Sequence, residues 1–135
     1  MPMSQILVVD DSSDSREPLV RLLRLQGHGV SSASDGLEAL HSVAQNVPDL
    51  ILLDVMMPHM DGVTFLKTLR SDPALKNLPV ILVTAATDER LLHECSRLGV
   101  NTCLTKSRFS FSQLLARVSD ALTHPPQNPT PAWHA

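Results

Sequence analysis

Residues 49–54 read Asp49-Leu50-Ile51-Leu52-Leu53-Asp54, an aliphatic run that ends on a carboxylate. A continuous apolar run of this length is typical of a strand buried on both faces of a parallel sheet. Four other segments are interpreted as strands: residues 5–9 and 80–83, and, as weaker outer strands, residues 29–33 and 102–105. The sequence therefore predicts five strands, of which the inner ones are almost devoid of polar side chains.

Segments with helical periodicity separate these strands. They place Leu, Val and Ala at i, i+3 and i+4 spacing in residues 18–25, 37–44, 63–69, 91–98 and 111–122. Expected N-caps are Ser12 or Ser13, Asp35, and Thr87 or Asp88, and Gly27 and Gly99 lie where the first and fourth helices are expected to end. Strict alternation of strand and helix predicts an α/β fold, a doubly wound (βα)5 sheet with right-handed crossovers.

The composition limits the classes of protein to consider. A chain of 135 residues with 43% hydrophobic residues forms one domain, which we place at residues 4–122, followed by a proline-rich flexible tail at 123–135. The net charge of −3 argues against direct nucleic-acid binding. No apolar run approaches the roughly 18 residues of a membrane span, so no membrane insertion is expected. Only two cysteines are present, which fits a reducing, cytoplasmic location.

Polar residues stand where the predicted strands end. Asp10 and Asp11 follow the first strand, Asp54 the third, Thr84 the fourth and Lys106 the fifth. The carboxyl ends of parallel strands meet at one edge of the sheet, so we expect these side chains to lie together. Three carboxylates in one place repel each other, and a hard divalent cation such as Mg²⁺, with Mn²⁺ as the alternative, relieves that repulsion. With a lysine and a threonine beside it, such a site suits phosphoryl transfer to a carboxylate.

The motifs at these strand ends resemble those of a known family. Residues 6–11 (ILVVDD), 49–62 (DLILLDVMMPHMDG), 79–85 (PVILVTA) and 104–106 (LTK) are similar to the receiver domain of two-component response regulators, the CheY-like phosphoacceptor domain. The resemblance covers residues 4–122. It implies a flavodoxin-like fold with a five-stranded parallel sheet in the order 2-1-3-4-5.

The resemblance also implies a role for each residue at the strand ends. Asp54 is expected to take a phosphoryl group from a histidine kinase, Thr84 to donate a hydrogen bond to it and Lys106 to pair with it. Asp10, Asp11 and Asp54 are expected to hold Mg²⁺, together with the main-chain carbonyl of Met56. On this interpretation the chain is a phosphoacceptor that assists its own phosphorylation and slow dephosphorylation, and not a turnover enzyme.

The implied partners are proteins. A sensor histidine kinase or a phosphotransfer protein is expected to donate the phosphoryl group. A downstream protein is expected on the face made by helix 4, strand 5 and helix 5. The exposed candidates on that face are mainly basic: Arg90, Glu94, Arg97, Arg108, Gln113 and Arg117.

Four positions depart from the family pattern or bear on its chemistry. Cys103 stands where members usually carry an aromatic switch residue, and Ser107 stands where a cis proline usually follows the lysine. Because a cis bond before a non-proline residue costs roughly 2.5–4 kcal/mol, we expect a trans 106–107 bond. Met56 and Ala86 flank the site, and neither can orient a water, so self-dephosphorylation is expected to be slow.

Two other functions remain as alternatives. A phosphorylation-independent pseudo-receiver would keep the fold as an interaction module, with Cys103 and Ser107 marking a lost switch. A phosphoaspartyl hydrolase would need a second acid two residues after its nucleophile, where this chain has Met56. A further alternative is a receiver domain cut from a larger regulator or hybrid kinase.

Overall fold

A computed structural model describes residues 4–57, 60–85, 88–100, 102–106 and 108–123. Strands and helices alternate throughout this part of the chain. In chain order the elements are β1 (Gln5–Val9), α1 (Ser13–Leu25), β2 (Gly29–Ala33), α2 (Gly36–Gln45), β3 (Leu50–Leu53), α3 (Gly62–Ser71), β4 (Val80–Thr84), α4 (Glu89–Arg97), β5 (Thr102–Thr105) and α5 (Phe111–Thr123).

The strands form one parallel sheet in the order β2-β1-β3-β4-β5. β1 and β3 pair from Ile6 opposite Leu50 to Val9 opposite Leu53, so Asp10 and Asp54 leave the sheet side by side. β4 and β5 pair as far as Thr84 opposite Thr105. The predicted (βα)5 fold and the strand order 2-1-3-4-5 are confirmed.

Each inner strand contributes side chains to two cores. One face of β1 and β3, including Leu7 and Leu53, packs with residues of α2, α3 and α4. The opposite face, including Val8 and Leu52, packs with residues of α1 and α5. This burial on both faces explains why the inner strands read as continuous aliphatic runs.

Aspartates begin three of the helices. The side chains of Asp35, Asp61 and Asp88 accept hydrogen bonds from main-chain N–H groups in the first turn of α2, α3 and α4. Gly27 and Gly99 follow α1 and α4 with φ values of 93° and 87°, a conformation that glycine adopts without steric cost. The expected caps at Asp35 and Asp88 and both glycine stops are therefore observed, whereas the alternative cap Thr87 lies outside the described residues.

The first helix begins earlier than its apolar periodicity indicates. The periodicity starts at Pro18, but α1 begins at Ser13 and contains Pro18 in its interior. Its first turn is polar, so hydrophobic spacing does not reveal it. The expected N-cap does reveal it, because Ser12 occupies the N-cap position, although its side chain makes no capping hydrogen bond. The earlier start matters for the site, because α1 then begins only two residues after Asp11 in the chain.

Arg70 joins α3 to the segment before β4 and to the end of α4. Its guanidinium donates hydrogen bonds to the main-chain carbonyls of Leu98 at 2.7 Å and of Leu75 and Leu78 at 2.9 Å. Burial lowers the pKa of the Arg70 guanidinium from its usual value. Among the helices of the described residues, none has both the length and the hydrophobicity of a membrane span.

Candidate functional site

Asp54 follows β3 and is almost fully buried, with 4% of its surface exposed. Its Oδ1 accepts hydrogen bonds from Thr84 Oγ1 at 2.7 Å and from the main-chain N–H of Met56 at 3.0 Å. Its Oδ2 accepts from Lys106 Nζ at 2.8 Å. β4 and β5 thus each deliver one donor to the same carboxylate.

Asp10 lies beside Asp54 and is equally buried, at 2% exposure. Its main-chain N–H donates to the carbonyl of Ala33 at 3.1 Å, which continues the pairing of β1 with β2. Its Oδ1 accepts from the main-chain N–H of Ser12 at 3.0 Å, and its Oδ2 forms an ion pair with Lys106 at 2.8 Å. Both oxygens of the carboxylate are therefore held in place before any ligand arrives.

Asp11 completes the acidic cluster and is exposed to solvent. One carboxylate oxygen from each of Asp10, Asp11 and Asp54 lies within 4.8 Å of the other two. Hard oxygen donors at this spacing fit a small divalent cation such as Mg²⁺, and the exposure of Asp11 leaves the cluster open to water and phosphate oxygens. The side chain of Met56 points to solvent, with 60% exposure.

Lys106 bridges the two buried carboxylates. Its Nζ lies 2.8 Å from Oδ2 of Asp10 and 2.8 Å from Oδ2 of Asp54. Burial disfavours the charged amine, but the hydrogen bonds and charges of Asp10 and Asp54 outweigh that effect and raise the pKa of Lys106 above its usual 10.5. The lysine is therefore charged at neutral pH.

The titration of Lys106 tests this ion-pair geometry. In metal-free protein we expect the Lys106 ¹³Cε NMR signal to titrate with a midpoint above 10.5, because both carboxylates favour the ammonium form. The stabilisation it provides is then complete below the unfolded pKa and is lost as the pH rises through the folded pKa. In Asp54→Asn the midpoint should fall, because one of the two charges is gone. An unchanged midpoint in that variant would contradict the observed pairing.

Thr84 and Cys103 lie on the adjacent strands β4 and β5, but only Thr84 contacts the acidic cluster, whereas Cys103 packs against the core. Thr84 is fully buried and contacts Asp54, as described above. Cys103 pairs with Leu82 and packs against the core beneath α2, α3 and α4. Burial raises the pKa of the Cys103 thiol, and it raises that of Cys95 to about 12. Neither thiol is therefore activated for redox chemistry.

The structure brings together Asp10, Asp11, Asp54, Thr84 and Lys106, as the strand-end argument predicts. Ser107, and with it the geometry of the 106–107 bond, lies outside the described residues, as do Ala86 and the segment after residue 123.

Two contacts beside the site were not predicted from the sequence, although Gly62 closes the motif of residues 49–62. Arg16 donates to the main-chain carbonyl of Asp10 at 2.8 Å, and Gly62 packs directly against Val55. The position of Arg16 in the first turns of a helix after the acidic pair is the one feature that could have drawn attention to it.

Comparisons with known proteins agree with this geometry. The family model of the response regulator receiver domain matches residues 6–119. The response regulator MprA of Mycobacterium sp. (strain KMS) is 41% identical over 133 residues, which cover 96% of this chain and 55% of that protein. The chain thus spans about half the length of this relative.

Solved structures show the same fold. The receiver domain of a signal transduction histidine kinase from Syntrophus aciditrophicus superposes with a TM-score of 0.81 at 31% identity, covering 93% of this chain and 94% of that one. The chemotaxis protein CheY4 of Vibrio cholerae gives a TM-score of 0.80 at 32% identity, covering 87% and 98%. The chain belongs to the family of response regulator receiver domains of two-component systems.

Proposed function

We propose that this receiver domain accepts a phosphoryl group on Asp54 from a phosphohistidine. The observation that carries the proposal is the convergence of Lys106 Nζ and Thr84 Oγ1 on the Asp54 carboxylate, at 2.8 Å and 2.7 Å, beside the acidic pair Asp10 and Asp11. A nucleophilic carboxylate with a fixed cation and a hydroxyl donor beside it is the arrangement that phosphoryl transfer needs.

The transfer forms one bond and breaks one. A carboxylate oxygen of Asp54 bonds to phosphorus as the bond between phosphorus and the donor imidazole nitrogen breaks, and that nitrogen keeps the electron pair. Lys106 balances charge on the phosphoryl oxygens, and Thr84 donates a hydrogen bond to one of them. Both groups are in contact with the acceptor beforehand, so they need little rearrangement.

Asp10, Asp11 and Asp54, with the main-chain carbonyl of Met56, are proposed to hold Mg²⁺, or Mn²⁺ in its place. Three carboxylates face a single lysine in this cluster, which leaves an excess of negative charge. When bound, the divalent cation neutralises charge on the transferring phosphoryl group. The residues themselves supply hard oxygen atoms on segments already fixed by β1 and β3.

We further propose that the chain is a phosphoacceptor and not a turnover enzyme. Hydrolysis of the acyl phosphate needs a group that orients a water and takes its proton. Met56, two residues after Asp54, presents an exposed thioether that does neither. Slow dephosphorylation follows.

We propose that residues 4–122 form the domain and that it acts in the cytoplasm. Its proposed partners are proteins. A sensor histidine kinase or phosphotransfer protein donates the phosphoryl group, and a downstream protein binds the face of α4, β5 and α5. Arg90 and Arg97 are exposed on α4, and Arg108 and Arg117 add positive charge near α5. The charge of these four arginines favours an acidic partner surface. A separate groove of about 500 Å³ lies between α3 and α4 and is lined by Lys67, Arg90, His93, Glu94, Arg97 and Leu98.

Intact mass spectrometry after incubation with acetyl phosphate tests the proposal. With Mg²⁺ present, we expect the chain to gain the mass of one phosphoryl group, because the acidic cluster then carries no net repulsion toward the donor. With EDTA in place of Mg²⁺, the adduct should be absent. If no adduct forms with acetyl phosphate or with a phosphorylated histidine phosphotransfer protein, the domain is a phosphorylation-independent interaction module.

A further inference from the structure

The polar atoms of Asp10 are held from four directions. Its N–H is bonded to β2, its Oδ1 to Ser12 and its Oδ2 to Lys106. Its carbonyl oxygen accepts a hydrogen bond from Arg16 Nη1 at 2.8 Å. The Asp10 carbonyl lies just beyond the end of β1, so the Arg16 guanidinium supplies the hydrogen bond that a neighbouring strand supplies within the sheet.

The Arg16 side chain is built into this position. Only 16% of its surface is exposed, although it lies on α1 with charged and polar neighbours. Within the described part of the chain, the carboxylate paired with it is that of Glu17, which is 3.9 Å away and 58% exposed, so that contact is weak. Its main-chain N–H donates to the carbonyl of Ser12 at 2.9 Å, which fixes Arg16 in the first turns of the helix.

We propose that Arg16 is a positioning residue for the divalent cation site: it fixes the peptide plane between Asp10 and Asp11. A peptide unit is planar, so a hydrogen bond to the Asp10 carbonyl also sets the direction in which Asp11 leaves. Asp11 is exposed, in contrast to the buried Asp10. This inference rests on the proposed metal site at Asp10, Asp11 and Asp54.

The direction in which Mg²⁺ affinity changes when Arg16 is replaced distinguishes a positioning role from a purely electrostatic one. A guanidinium repels a divalent cation, so removing its charge alone would tighten Mg²⁺ binding. If Arg16 acts by holding the acidic pair in place, its removal weakens binding instead. Groups that orient metal ligands typically contribute roughly 10- to 100-fold to metal affinity or activity.

Arg24 offers a matched control on the same helix. Its Nη2 also donates to a main-chain carbonyl, that of Val30, at 3.0 Å, but this contact lies at β2 and away from the acidic pair. Arg16→Met and Arg24→Met each keep an apolar stem while removing the charge and the donors. Arg16→Lys keeps the charge and one donor group.

The experiment is a Mg²⁺ titration of the full chain, followed by the amide NMR signals of Asp11 and Ser12 at constant ionic strength. We expect Arg16→Met to bind Mg²⁺ about tenfold more weakly than wild type. Arg24→Met should match wild type, and Arg16→Lys should bind more tightly than Arg16→Met.

Several results would overturn the inference. Arg16→Met could bind Mg²⁺ as tightly as wild type or more tightly, or Arg24→Met could lose as much affinity. An Arg16→Met chain that is unfolded while Arg24→Met is folded would assign the contact to fold stability. If wild type itself binds no Mg²⁺, the proposed metal site fails, which is a distinct result.

Discussion

Asp54→Asn is expected to gain no phosphoryl adduct under conditions that fully label the wild-type chain. An amide oxygen is too weak a nucleophile to displace the leaving group. Asparagine keeps the shape of aspartate, and its Oδ1 still accepts hydrogen bonds from Thr84 and from the main-chain N–H of Met56. The variant should remain folded, because Lys106 keeps its ion pair with Asp10 at 2.8 Å when the Asp54 carboxylate is removed. Intact mass after acetyl phosphate and Mg²⁺ measures the labelling, and urea unfolding measures the fold.

Asp61→Asn is the control for this loss. Asp61 is exposed and caps α3 by accepting a hydrogen bond from the Thr64 N–H at 2.8 Å, a role that asparagine fills equally well. The control should therefore be labelled like wild type. An adduct on Asp54→Asn would show that Asp54 is not the acceptor. Loss of the adduct in Asp61→Asn as well would show that the loss in Asp54→Asn is not specific to position 54.

Gly62→Ala is expected to destabilise the fold strongly. A Cβ at position 62 would overlap Cα of Val55 and lie 3.0 Å from its Cβ. The obstacle is backbone, so the segment between β3 and α3 must shift and strain the Gly62 N–H to Val55 carbonyl bond, now 3.0 Å. We expect the free energy of unfolding in urea to fall by about 3 kcal/mol, at the upper end for overpacking.

Gly27→Ala is the control that distinguishes the cost of the steric contact at Gly62 from the cost of an unfavourable backbone conformation. Gly27 has a φ of 93° and nothing within 4 Å of an added Cβ, so its substitution costs only the strain of a left-handed residue, about 1 kcal/mol. If Gly62→Ala loses no more stability than Gly27→Ala, the contact with Val55 does not constrain the chain. Because Val55 follows Asp54, Gly62→Ala should also reduce labelling by acetyl phosphate.

Local patterns are sufficient for the fold wherever they extend over a whole element. The run 50–53 is aliphatic at every position because both faces of β3 are buried, so it is identified as a strand without further information. The start of α1 is different. Ser13 and Asp14 carry no apolar periodicity, so hydrophobic spacing alone places the helix start several residues too late, and only the expected N-cap at Ser12 marks it.

The sequence by itself determined the α/β class, the resemblance to receiver domains and the grouping of polar residues at one edge of the sheet. Each of these follows from chain order and periodicity, because the carboxyl ends of parallel strands meet at the same edge.

Only the tertiary structure decided the contacts made within that group. It shows that Lys106 bridges Asp10 as well as Asp54, that Arg16 holds the Asp10 carbonyl, and that Gly62 lies against Val55. These contacts depend on side-chain direction and on how closely separate segments approach. No repeating pattern encodes them, because each joins a single pair of atoms brought together by the packing of helices on the sheet.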